Sequence, residues 1–332
     1  MKKVLVTLLV MTMVITGLLA GCGGSGSSDS GSGDSGSSDS GSKKLKIGYT
    51  VCEKDQFQVN VITAAEKKAK ELGIELNIQD AQKDVQKQID QIQTFASQGM
   101  DAIVVVPQEP DTAEALVAAA GDTPVVFVNR QPKEDILVAN KVVCVNSDEA
   151  QAGELQAEFI ANELFKDKKD LNYALLQGIL GNASVLLRSD GALDGLKAEG
   201  YTLTEQFKDT AEWDRAKAMQ LIQTFLGTGK PVDVIISNND EMALGALEAL
   251  KAVGKTTADV PVVGLDGTVE ACQSILDGGL NASVYQDAIG QGEGAIQAAQ
   301  DLVDGKDVDT HVIIPFVLIT KENAQEFIDL QK

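Results

Sequence analysis

The sequence predicts an α/β fold: parallel sheets covered by helices, divided between two similar domains. Three observations predict it. Short runs such as 102–106 and 142–145 are apolar without alternation, the pattern of strands covered on both faces. Amphipathic stretches separate them: Val85, Ile89, Ile92 and Ala96 form one stripe, and Ala243, Leu247 and Leu250 another. Strands alternating with helices give a parallel, doubly wound sheet, and about eleven strand candidates are too many for one compact unit.

The elements follow in order. Residues 1–21 read as a signal peptide, with Lys2 and Lys3 ahead of an apolar run from Val4 to Ala20. The run ends in Leu19-Ala20-Gly21-Cys22, which resembles a bacterial lipobox and makes Cys22 the lipidated first residue of the mature chain. The run alone is near the lower limit for a membrane span; its ending favours the lipoprotein. Residues 23–42 contain only Gly, Ser and Asp, cannot bury apolar surface, and predict a disordered linker with Cys22 at its head. The expected location is the extracytoplasmic side of the cell membrane, held only by the lipid.

From residue 45 the strand candidates are 45–51, 74–79, 102–106, 124–128 and 142–145, then 171–177, 202–207, 232–236, 261–265, 282–285 and 311–314. Gly73, Gly99, Gly200 and Gly254 sit where the intervening helices stop. Asp80 and Asp84 read as structural, and Asp240 as a helix cap.

Composition narrows the function. With 28 basic and 49 acidic residues the formal charge is −21, which argues against nucleic acid and against charge-driven adhesion to anionic lipid. Four cysteines, one histidine and no CxxC leave little scope for a zinc site, and no metal or cofactor is expected. Cys52, Cys144 and Cys272 cannot all pair; they read as three reduced thiols, with a Cys52–Cys272 disulfide as the alternative. His311, the lone histidine, has no nucleophile motif to serve, and Gly290-Gln291-Gly292 does not follow a strand as a dinucleotide fingerprint must. The chain reads as a non-enzyme.

In doubly wound folds ligands bind beyond the carboxyl ends of the strands. Those ends carry Glu53-Lys54-Asp55-Gln56-Phe57, Asn129-Arg130, Gln177-Gly178, Asn238-Asn239-Asp240, Asp266-Gly267 and Gln286-Asp287. Carboxylates, amides and an arginine on one rim suit a polyhydroxylated neutral ligand, because hydroxyls both donate and accept. The C–H face of a pyranose also needs a flat aromatic. Phe57 falls in the first rim loop, where core and ligand contact are both open. Trp213, the single tryptophan, is expected to start a helix and contact ligand.

At these residues the chain resembles a periplasmic-type sugar-binding protein of the ribose, galactose/glucose and xylose group. The resemblance spans about 45–325 and is carried by DAQKDVQKQIDQIQTFASQGMDAIVVVPQEP, SNNDEMALGALEAL, PVVGLDGT and VYQDAIGQGEGAI. It implies the type I periplasmic binding protein fold: two Rossmann-like lobes joined by a three-segment hinge. The lobes are expected at 43–147 plus 287–314 and at 148–286 plus 315–332, with crossovers near 146–148, at 286 and near 314–315. A monosaccharide would be captured between them by hinge closure and delivered by a monomer to an ABC transporter permease. Presentation to a chemoreceptor or histidine kinase is the alternative. A repressor of the lactose-repressor family shares the fold but needs an N-terminal helix-turn-helix, where this chain has a lipoprotein signal.

The resemblance also implies roles. Asp55 matches a hydroxyl-binding position, Phe57 and Trp213 the two stacking aromatics, and Arg188 a sugar-binding arginine. Asn239, Asp266 and Gln286 match hydroxyl-binding positions, and Asn129 and Arg130 fall at a further ligand-contacting pair. There are departures. Val106-Pro107 stands where an amide is usual and looks xylose-like. Asn182 and Ser184 replace a histidine and an aspartate, and 166–173 lacks the spaced oxygen ligands of a calcium loop. The two aromatics favour a pyranose, galactose/glucose-like or xylose-like.

Overall fold

The computed structural model describes residues 44–332. The expected signal peptide, the lipidation site Cys22 and the linker to residue 42 lie outside the described residues.

The first sheet is parallel throughout, with strand order β11-β5-β4-β3-β1-β2. Its strands are β1 (Lys46–Val51), β2 (Glu75–Asp80), β3 (Ala102–Val106), β4 (Val125–Val128), β5 (Val142–Asn146) and β11 (His311–Ile313). The unbroken apolar runs have the expected cause. Along β3, β4 and β5, Val104, Val106, Val126, Val128, Val143 and Val145 point to one core layer. Ile103, Val105, Val125, Phe127, Val142 and Cys144 point to the opposite one. Helices α1 (Gln56–Glu71) and α9 (Ala288–Val303) cover the first layer; α2 (Val85–Ser97) and α3 (Ala113–Ala120) cover the second. Gly292, in the GxG fragment, brings α9 against α1: a Cβ there would lie 2.2 Å from the Val61 carbonyl.

The second sheet has order β7-β6-β8-β9, also parallel, from β6 (Asp170–Gln177), β7 (Thr202–Thr210), β8 (Val234–Ser237) and β9 (Val262–Val263). Helices α4 (Glu149–Phe159) and α5 (Ala183–Ala198) lie on one face. The other face carries α6 (Arg215–Leu226), α7 (Asp240–Ala252), α8 (Val269–Leu276) and α10 (Ala324–Leu330). The antiparallel pair β10 (Ser283–Tyr285) and β12 (Val317–Ile319) extends this sheet. It is tied on where the Gly264 and Asp266 amides donate to the carbonyls of Ala282 and Val284, both at 2.9 Å. The chain passes between the two sheet systems at 147–148, 286–287 and 314–316.

Some expectations change. The strand expected at 261–265 keeps only two ladder residues, because the chain must turn at Asp266, whose φ is +129°. The strand β12 was not anticipated. Trp213 does not start a helix: Glu212 and Trp213 sit in left-handed conformations (φ +54° and +67°), and α6 begins at Arg215 behind the cap Asp214. The cap of α7 is Asn239, not Asp240. Asp240 is instead fully buried, accepting from the Thr268 amide at 2.8 Å and the Ser283 hydroxyl at 2.6 Å. Asp84 caps α2, a structural role as expected. Cys52, Cys144 and Cys272 are buried and free, so the alternative Cys52–Cys272 bond is not formed.

Candidate functional site

The carboxyl ends of both sheets open on one cleft of about 660 Å³, part of it open to solvent. The first lobe contributes Asp55 to Gln58, where β1 turns into α1, and Asn129 and Arg130 after β4. The second contributes Glu149 at the start of α4, Asn182, Ser184 and Arg188 around the start of α5, and Trp213 after β7. Asn239 and Glu241 enter at the start of α7, Asp266 and Thr268 after β9, and Gln286 after β10. All nine positions expected at the site therefore line this single cleft.

Arg188 organises the second-lobe wall. It is 4% exposed and every arm is engaged. Nε donates to Glu149 Oε2 at 2.6 Å, Nη1 to the Asn238 carbonyl at 2.8 Å, and Nη2 to Gln286 Oε1 at 3.1 Å. Its guanidinium carbon lies 5.8 Å from the Trp213 ring centroid, within cation–π range. Burial opposes the charge, yet Glu149, Asp266 and Asp240 hold the guanidinium pKa above its ordinary value. Asp266 Oδ1 is 3.8 Å from Nη1. Burial, reinforced by Asp240, pushes the Asp266 carboxyl well above the usual carboxylate range despite Arg188.

The first-lobe wall is an amide network. Asp55 caps α1, its Oδ1 accepting from the Gln58 amide at 2.8 Å, and burial raises its pKa. Gln58 Nε2 donates to Asn129 Oδ1 at 2.7 Å, and Asn129 Nδ2 to Gln291 Oε1 at 3.1 Å. Gln291 Nε2 reaches Ser147 Oγ, at the first crossover, at 3.1 Å. Arg130 donates to the Gln108 carbonyl at 3.1 Å and to Glu53 at 3.4 Å. Asn129 and Arg130 thus brace the loops around the cleft as well as lining it.

Phe57 and Trp213 approach from different lobes. Each is half-buried, packing on its own lobe's core and lining the cleft. Trp213 lies against bare backbone: a Cβ on Gly178 would fall 2.1 Å from the indole. Val106, by contrast, is fully buried in the first core and does not reach the cleft.

Residues 47–307 match the family model for a periplasmic binding protein domain. The chain belongs to that family. It is 37% identical to a putative rhizopine-binding protein of Rhizobium meliloti, covering 82% of this chain and 89% of the relative. It is 32% identical to the D-galactose/methyl-galactoside binding periplasmic protein of Haemophilus influenzae, covering 85% and 92%. A solved ABC transporter solute binding protein from Bacillus halodurans, with bound myo-inositol, superposes with a TM-score of 0.79 at 33% identity, covering 86% and 98%. The architecture is the two-lobed type I periplasmic binding protein, and these relatives are binding and transport proteins rather than enzymes.

Within this periplasmic binding protein, Glu149 and Gln58 were not anticipated. Glu149 is three residues past the end of β5, at a crossover, and that placement was its signal. Gln58 directly follows Phe57 in the first rim loop, but nothing in its sequence context distinguished it from a helix residue.

Proposed function

We propose that this chain is an extracytoplasmic lipoprotein, anchored through Cys22, that captures a six-membered-ring polyol between its lobes and hands it to an ABC permease as a monomer. The ligand class is an aldopyranose, galactose/glucose-like or xylose-like, or a cyclitol. One observation carries the reading: Phe57 and Trp213 line the same cleft from different lobes, with carboxylates, amides and Arg188 between them. Flat aromatics suit the C–H faces of such a ring, and the mixed donors and acceptors suit its equatorial hydroxyls. The galactose and myo-inositol named for two relatives have rings of this size, which supports the class without choosing within it.

The test is a thermal-shift screen of residues 22–332 carrying Cys22→Ser. The panel is galactose, glucose, xylose, arabinose, ribose and myo-inositol. A ligand at a hundred times its Kd stabilises by about 2.7 kcal/mol, a shift of several degrees. A shift with pyranoses or myo-inositol is expected. A shift with ribose alone, or with none of the panel, would overturn the reading.

A further inference from the structure

We infer that Gln291 is a positioning residue that couples the cleft to the hinge: its buried side chain ties Asn129, on the first-lobe wall, to Ser147, at the first crossover. This rests on the capture of a ligand between the lobes proposed above, and names the residue through which the cleft and the lobe angle act on each other.

Gln291 belongs to the hinge by position and to the cleft by contact. It is fully buried in the first turn of α9, just past the crossover at 286–287, and does not itself line the cleft. Its Oε1 accepts from Asn129 Nδ2 and its Nε2 donates to Ser147 Oγ, both at 3.1 Å. Its backbone amide donates to the Asp287 carbonyl at 2.9 Å. Asp287 Oδ1 in turn accepts from the hydroxyl of Tyr285, on β10 of the second lobe, at 3.0 Å. The third crossover packs on the same turn: a Cβ on Gly290 would lie 3.1 Å from Ile314 Cγ2. The Ile314 amide donates to the carbonyl of Asn146, one residue before Ser147, at 2.8 Å. The Gln291 side chain thus stands where all three crossovers meet.

The line of amides has a fixed direction. Gln58 lines the cleft, and its Nε2 donates to Asn129 Oδ1 at 2.7 Å. Asn129 then has only Nδ2 to offer Gln291, and Gln291 only Nε2 to offer Ser147. Reversing any one amide sets donor against donor or acceptor against acceptor, so the three keep or lose their order together. Asn129 is also held in a left-handed conformation, φ +67°, between its two side-chain bonds. The cleft end of the line is open: Gln58 is 2% exposed and its Oε1 is buried with no partner. A ligand hydroxyl that donates there completes the line and strengthens the bonds behind it. The last of those bonds ends on Ser147, so the ligand also fixes the crossover. Coupling of this kind is reciprocal: a hinge held at the closed angle presents Gln58 and Asn129 in order for the ligand.

The test is the distance between the lobes in the Cys22→Ser protein. Spin labels are placed at Glu109→Cys, on the loop after β3, and Leu180→Cys, on the loop after β6, both exposed. Cys52, Cys144 and Cys272 are fully buried and stay unlabelled. Pulsed electron resonance then reads the spread of distances with and without ligand. Gln291→Met keeps the side-chain volume and removes both bonds; Ser147→Ala removes only the last, and decides the matter if Gln291→Met does not fold. Gln156→Met is the control, a buried glutamine whose bonds to the Ser237 and Gly264 carbonyls stay within the second lobe. Without ligand, both Gln291→Met and Ser147→Ala should broaden the distance distribution, and the double variant should broaden it no further than Gln291→Met alone. Gln156→Met should leave it unchanged even where it lowers the melting temperature. Calorimetry with galactose and with myo-inositol should show each relay variant binding about tenfold more weakly, the loss of about one hydrogen bond's contribution. Distances unchanged in both relay variants, or broadened equally by Gln156→Met, would overturn the inference and leave the polyol reading standing. Wild type that binds neither probe would count against the polyol reading, while the ligand-free distances still decide the inference.

Discussion

Gly178→Ala isolates the contribution of Trp213 without touching the indole itself. Gly178 follows the end of β6, and a Cβ there would lie 2.1 Å from the ring. Ordinary contact begins near 3.4 Å, so the indole must retreat by at least about 1.3 Å. The clash is with the far edge of a side chain, not with backbone, so the ring gives way and β6 stays. A stacking face displaced that far loses most of its contact with a bound ring. Burial of a large apolar side chain is worth about 1.5–3 kcal/mol, so affinity should fall roughly ten- to a hundredfold. The melting temperature should change little. The readout is clean because Trp213 is the single tryptophan: all intrinsic emission at its wavelength reports on this one position. Calorimetry with whichever polyol the thermal-shift screen identifies gives the affinity, and ligand-induced quenching gives the ring's place. Unchanged affinity with unchanged quenching would refute the argument that Gly178 seats Trp213 against the ligand.

Three further outcomes are expected. Arg188→Met leaves Glu149 and Asp266 buried without their cation, so the folded state should lose about 3–5 kcal/mol by chemical denaturation; a loss below about 1 kcal/mol would show the network is not a buried ion pair in solution. Asp240 is fully buried and its pKa is raised from 3.8 to about 6, chiefly by burial, so its charged form is disfavoured in the folded state. The group therefore stabilises the fold least above pH 6, and from below pH 3.8 to above pH 6 the protein loses about 3 kcal/mol from it. The stability advantage of wild type over Asp240→Asn should shrink across that window, and a widening gap in denaturation at pH 4 and pH 7 would contradict this. Arg215, which follows the Trp213 turn, donates to Glu241 at 3.0 Å and to Glu270 at 2.7 Å. Arg215→Lys cannot make both bidentate pairs, so it should weaken polyol binding and lower Trp213 fluorescence anisotropy more than it lowers the melting temperature.

The parts of the fold that were legible share a cause. Both sheets are covered on both faces, so β3 and β4 are apolar at every position, β5 at every position but its last, Asn146, and all three stand out in the chain. β12 did not stand out because it is three residues long and flanked by Phe316 and Thr320, too short for any period to show. The rim was legible as a set, since strand ends fix where loops converge. Individual roles were less so. Trp213 does line the cleft, but two successive non-glycine residues in left-handed conformation contradict local preference, so the turn was read as helix. Glu149 was hidden because acids in a first helical turn are ordinary favourable partners of the helix dipole. Only the folded arrangement, with Arg188 arriving from α5, shows that it is a buried counterion.

The same positions serve two purposes, and this constrains how the site can vary. Asp55, Asn239 and Thr268 each cap a helix with one side-chain oxygen while lining the cleft. The helix N-termini they cap aim partial positive charge at the rim, which offsets part of the burial that raises the Asp55 pKa. Asp and Asn are near-equal caps, whereas Ala loses about 1 kcal/mol. A change between acid and amide at Asp55 can therefore alter the charge of the cleft while α1 remains capped. A change to an apolar residue there would weaken the fold and the site together. The charge of the cleft is thus more easily revised than its shape, because the cap constrains the side-chain oxygen and not its charge.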